Sequence, residues 1–153
     1  RQGTLDRRAG FALLGSRRMT SGYSGKPLAA KLGIGEGMEV LAIDPPPDYA
    51  QWLAPLPPGA RIVSRASAQT RVVHLFALER SRLASALKTQ REHLSADATL
   101  WISWPKKSAK VATDITEDTI RELALPLGFV DVKVCAVSEV WSGLKLVVRK
   151  ALR

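Results

Sequence analysis

The segment around Trp104 holds the densest set of ligand-binding groups in the chain. Trp104 offers an aromatic face for stacking, and Lys106, Lys107 and Lys110 offer cationic charge close by. Ser108 adds a hydroxyl, and Thr113, Asp114 and Thr116 follow at the start of an expected helix. The free N–H groups and dipole of a helix start favour an anion. A stacking tryptophan beside lysines suits a phosphate-bearing ligand, a nucleotide or single-stranded RNA. The alternative is a basic surface loop with Trp104 packed on the sheet beneath. Trp141 and Ser142 are a second candidate, where Trp141 either covers a sheet edge or touches a partner.

Other reactive side chains are poorly placed for chemistry. His74 lies inside the apolar run Val72-Val73-His74-Leu75-Phe76, a setting that favours a hydrogen-bonded core residue over a catalyst. His93 falls on the exposed side of a helix end, and Cys135 reads as a buried strand residue. Two histidines and one cysteine so placed make no metal site, and no serine lies in a Gly-x-Ser-x-Gly elbow. A dinucleotide fingerprint and a P-loop are missing too. We therefore assign no catalytic residue, no metal and no cofactor from the sequence.

Strands and helices alternate through the chain. Residues 38–43 form a short apolar strand, led in by Gly33, Gly35 and Gly37 and stopped by Asp44 and three prolines. Residues 48–53 fit a helical turn and 61–64 a second strand. Residues 72–77 are apolar on both faces, as a central parallel strand should be. A helix over 79–94 places Leu83, Ala86, Leu87 and Leu94 on one side. Residues 99–104 form the next strand. A helix over about 116–127 follows, with either Asp114 and Glu117 as a capping box or Thr116 as the cap. Residues 129–137 and 144–150 must be antiparallel neighbours, because the connection is too short for a crossover helix.

This order predicts an α/β fold: a parallel αβα sandwich closed by a C-terminal antiparallel hairpin. It resembles the ending of the methyltransferase-like, Rossmann-like fold, with the first half truncated to two strands. That resemblance implies a glycine-rich turn after the first strand, where only glycine lets the backbone approach the cofactor. Here the position reads Asp44-Pro45-Pro46-Pro47-Asp48, and Ser64-Arg65 stands where an acidic residue should end the second strand. Both departures point away from S-adenosylmethionine chemistry.

A closer resemblance rests on particular blocks. They are Ser21-Gly22-Tyr23-Ser24-Gly25 with Pro27-Leu28, Trp104-Pro105-Lys106-Lys107-Ser108, Thr113-Asp114 with Thr116-Glu117-Asp118, Val130 to Val137, and Trp141-Ser142-Gly143-Leu144-Lys145. Across about residues 20–153 these are similar to a bacterial family of short, single-domain proteins built on a domain of unknown function. The resemblance implies a bacterial, cytoplasmic protein and no particular activity.

The chain has 153 residues, 46% of them hydrophobic and 24% charged, as in ordinary globular proteins. A lone cysteine excludes an internal disulfide and fits a reducing compartment. No run approaches the ~20 apolar residues of a membrane span. The net charge is +9, but Arg1, Arg7, Arg8, Arg17 and Arg18 against Asp6 put +4 of it in residues 1–18. Those residues read as a disordered extension or upstream sequence, with residues 19–153 as a single domain starting at Met19. The remaining basic excess is moderate.

The favoured reading is a non-enzymatic binding or interaction module. Its partner is an anionic, phosphate-bearing small molecule or a protein, met at the carboxyl edge of the sheet in a crevice walled by 44–49, 104–110 and 113–117. One alternative is a divergent S-adenosylmethionine-dependent methyltransferase. The other is an RNA- or DNA-binding module, which would need the basic residues between Arg61 and Arg91 on one face with the 106–110 loop.

Overall fold

A computed structural model describes residues 26–153. The extension over 1–18, the start at Met19 and the block at 21–25 lie outside the described residues. Six strands form one sheet in the order β2-β1-β3-β4-β6-β5. They are β1 (Glu39–Ile43), β2 (Arg61–Val63), β3 (Thr70–Phe76), β4 (Thr99–Pro105), β5 (Phe129–Ala136) and β6 (Trp141–Val148). The first four run parallel, and β6 lies antiparallel between β4 and β5. The expected α/β architecture with its antiparallel C-terminal pair is the architecture found.

The period of two along each strand divides the apolar residues between two faces. Leu41, Val73, Leu75, Leu100, Ile102 and Leu144 face α3 (Arg80–His93) and α4 (Glu117–Ala124). Val40, Val72, Phe76 and Trp101 face α1 (Leu28–Leu32) and α2 (Tyr49–Leu53). The sequence pattern did not announce α1, a five-residue helix that Gly33 ends in the left-handed conformation at φ 84°.

The connection from β2 to β3 is only residues 64–69. Parallel crossovers ordinarily take about a dozen residues and a helix. Six residues reach about 20 Å when extended, which suffices to return along a strand as short as β2. A buried carboxylate fastens this loop. Glu39 accepts hydrogen bonds from Ser67 Oγ (2.7 Å), Thr70 Oγ1 (3.1 Å) and Arg61 Nη2 (2.5 Å). Those bonds, with Ser67 foremost, hold its carboxyl below the usual range despite burial.

Three expectations need correction here. Thr116, not Asp114, caps α4: its hydroxyl accepts from Thr119 N while Thr119 Oγ1 accepts from Thr116 N. Asp114 instead accepts from Arg80 N at 2.7 Å and so serves the start of α3. The helix proper ends at Ala124, and a short 3-10 turn, Leu125–Leu127, carries the chain to Gly128. Gly128 has φ +100°, a backbone conformation that L side chains rarely adopt. Finally, Trp141 and Ser142 belong to β6 rather than to the hairpin connection, because the ladder to β4 continues to Pro105↔Trp141.

Candidate functional site

At the carboxyl edge of the parallel strands, the loop after β4 is tied down at both ends. Lys106 N donates to Val140 O at 2.7 Å, and Thr113 Oγ1 donates to Leu78 O at 2.5 Å. Between these ties, Lys107–Ala109 forms a 3-10 turn that Lys110 ends with φ 56°. Lys107, Ser108 and Lys110 are exposed and Lys106 is half-buried. Among the described residues, none forms an ion pair with these three lysines, so their charge faces solvent from a fixed turn.

The rest of the predicted site does not join them. Trp104 is only 8% exposed and packs into the core with Leu83, Ile115 and Ile120's cluster, so it presents no face for stacking. Burial against the α3–α4 layer is the cause, since an indole beside those side chains gains more from leaving water than from standing exposed. Thr113, Asp114 and Thr116 spend their side chains on internal hydrogen bonds. The first turn of α4 also carries Glu117 and Asp118, whose charge already answers the helix dipole. Thr113, Asp114 and Thr116 are therefore committed to internal contacts rather than turned toward the lysines. What remains of the predicted set is the exposed lysine turn with Ser108.

Trp141 is half-buried and meets Phe76 edge-on at 5.1 Å, so it belongs to the α1–α2 side of the core. It is not an edge-covering residue, because β5 is the outer strand. Ser142 pairs with both Trp104 and Ala136 in the ladders.

The segment after β1 is a tight, proline-filled turn. Asp44 turns the chain at φ 54°, Tyr49 N donates to Pro46 O, and the prolines supply no N–H of their own. The Asp44 carboxylate lies 3.5 Å from Arg82. The Gly33–Gly37 cluster sits at the opposite edge, where Gly37 N donates to Pro58 O.

Behind this edge runs a buried polar chain. His74 shares hydrogen bonds with Tyr49 Oη through Nδ1 (2.8 Å) and with Ser103 Oγ through Nε2 (2.7 Å). A neutral imidazole offers one donor and one acceptor, and hydroxyls can complement either tautomer. Burial lowers the His74 pKa to about 3, so the ring is neutral. Ser103 and His74 have no exposed surface, so the arrangement has structural work and no access for a substrate. The Cys135 thiol is pushed up by burial, against the pull of Lys31 and Lys133, and is a poor nucleophile. Among the described residues, no group of three His, Cys, Asp or Glu could hold a metal, and no helix is long and apolar enough to cross a membrane.

Solved structures share this framework. Fibrillarin, a pre-rRNA processing protein of Methanococcus jannaschii, aligns over 80% of this chain and 74% of its own, with a TM-score of 0.50 and 11% identity. LepI in complex with SAM aligns over 80% of this chain at 14% identity and a TM-score of 0.49. The chain spans only 39% of LepI. The fold is methyltransferase-like. No protein-family model matches the sequence, and no curated protein does. Identities this low speak to the fold alone.

The residues that organise this half of the molecule were not the ones singled out by type. Trp101, one face away from Trp104, anchors α1 by donating its indole N–H to Leu32 O at 3.1 Å. The strand alternation was the available signal, since Trp101 shares its face with Ser103 and, across the ladder, with His74.

Proposed function

We propose that this chain is a non-catalytic binding module on a truncated methyltransferase-like scaffold, and that it meets an anionic partner through Lys106, Lys107 and Lys110. The observation that carries the reading is the combination at one edge of a proline-filled turn after β1 and a fixed lysine turn after β4. The first removes the backbone donors that a cofactor cradle needs. The second presents three cations with no ion-pair partner among the described residues. Exposed contacts of this kind contribute about 1 kcal/mol each at low salt, so affinity should be moderate and salt-sensitive.

Inorganic tripolyphosphate is a suitable probe. Titration calorimetry at low salt should give saturable binding that the double substitution Lys106→Ala/Lys107→Ala weakens about tenfold or more. Equal affinity for both proteins would place the anion site elsewhere. An extended nucleic-acid surface is a less favoured reading. Arg61, Arg71, Arg80 and Arg82 are each engaged by a carboxylate, and Arg61 begins β2 at the edge opposite the lysine turn.

The fold likeness keeps a divergent methyltransferase as the second reading. S-adenosylmethionine should show no heat of binding, because residues 45–47 have no N–H to offer. Micromolar affinity for it would revive the enzymatic reading.

A further inference from the structure

The α3 side of the sheet is incompletely covered over β1 and β2, and a cavity of about 410 Å³ lies there. Its floor is apolar, made by Leu41, Ile43 and Val73. Ser64 and Ala66 of the 64–69 crossover form one wall, and Thr89, Gln90 and His93 of the last turns of α3 form the other. The cavity exists because the crossover is too short to contain a helix. In a βαβ unit a helix would lie on this floor.

Several features separate this cavity from a mere packing gap. The crossover wall is preformed, since the buried Glu39 carboxylate holds Ser67 and Thr70. On α3 the inward stripe runs Leu83, Leu87, Gln90, Leu94, so an amide stands where the periodicity calls for an apolar residue. His93 Nδ1 donates to Thr89 O, so Nε2 is the ring nitrogen left at the rim. Among the described residues that line the cavity there is no Asp, Glu, Lys or Arg. Its volume falls in the range of small-molecule pockets, about 300–1,000 Å³, and polar side chains line much of its rim.

We infer that this cavity binds a small, uncharged molecule that combines an apolar body with hydrogen-bonding groups. The apolar body lies on Leu41, Ile43 and Val73, and its polar groups meet Gln90 and Ser64. A charged ligand is disfavoured, because the lining holds no Asp, Glu, Lys or Arg to pair with its charge. The site is separate from the lysine turn after β4 and does not depend on it.

Three probes with one ring and different charge test this: indole-3-acetamide, indole-3-acetate and tryptamine, titrated into the labelled protein and followed by amide chemical shifts. The expected result is saturable shifts at Ser64, Ala66, Thr89 and Gln90, with the neutral amide binding about tenfold tighter than either charged probe. Ala66→Trp, which fills the cavity from an exposed loop position, should weaken the amide about tenfold or more. Gln90→Ala is a second variant expected to weaken it while retaining the helix. Lys106→Ala/Lys107→Ala should leave it unchanged. Equal binding of the charged probes, shifts confined to other regions, no saturable binding by any of the three, or full affinity in both cavity variants would overturn the assignment.

Discussion

Trp101→Ala is expected to destabilise the protein by about 3–5 kcal/mol, as removal of large buried aromatics generally does. Trp101 has no exposed surface and stands mid-strand in β4, between His74 of β3 and Lys145 of β6. Its indole fills the α1–α2 face, and its N–H is the donor to Leu32 O that ties α1 to the sheet. Truncation therefore removes apolar contact, leaves a cavity and takes a buried carbonyl's donor away at once. For a chain of this size the melting temperature should fall by about 2–4 °C per kcal/mol. Trp101→Phe should recover most of the packing but not the hydrogen bond, so it should fall between wild type and Trp101→Ala. Thermal unfolding by circular dichroism checks both. A change of only a few tenths of a kcal/mol for Trp101→Ala would mean that α1 does not depend on this anchor.

Stability should fall as the pH is lowered from about 6.5, well before the carboxylates titrate. His74 has a folded pKa lowered to about 3 against an ordinary value of 6.5. Between those values the unfolded chain binds a proton that the folded chain does not, so acid favours unfolding. The slope is at most about 1.4 kcal/mol per pH unit for this single group. From about pH 6.5 to 4.5 the loss is thus about 2–3 kcal/mol at most. Below that range Glu39, Asp97 and Asp131 add to it, since each is held below its ordinary pKa and loses its partners on protonation. His74→Gln retains a donor and an acceptor between Tyr49 and Ser103 without a titrating ring. It should unfold in urea with a midpoint that hardly changes between pH 6.5 and 4.5, whereas the wild-type midpoint drops. Parallel profiles for the two proteins would show that His74 is not the group responsible.

Much of the fold was legible because it rests on local pattern. The apolar run at 72–77, the proline stop after residue 43, and the connection between β5 and β6 each follow from neighbours in sequence, and together they determine a parallel sheet with an antiparallel closing pair. The proline run at 45–47 was equally local, since proline lacks an N–H wherever it folds. Residue type left Trp104 open between a binding platform and a residue packed on the sheet. A tryptophan followed by lysines looks like a binding platform, but alternation along β4 turns it onto the α3–α4 layer. Asp114 and Thr116 were both candidate caps for the helix that follows; Thr116 is the cap, and Asp114 serves α3, whose start lies 34 residues earlier. Such pairings depend on which strand ends lie side by side, and no spacing in the chain encodes that. The same holds for the Tyr49–His74–Ser103 chain, for the Glu39 clasp on the short crossover, and for the cavity beside it. Each joins residues from separate elements, so only tertiary packing could bring them within hydrogen-bond reach or leave the sheet uncovered.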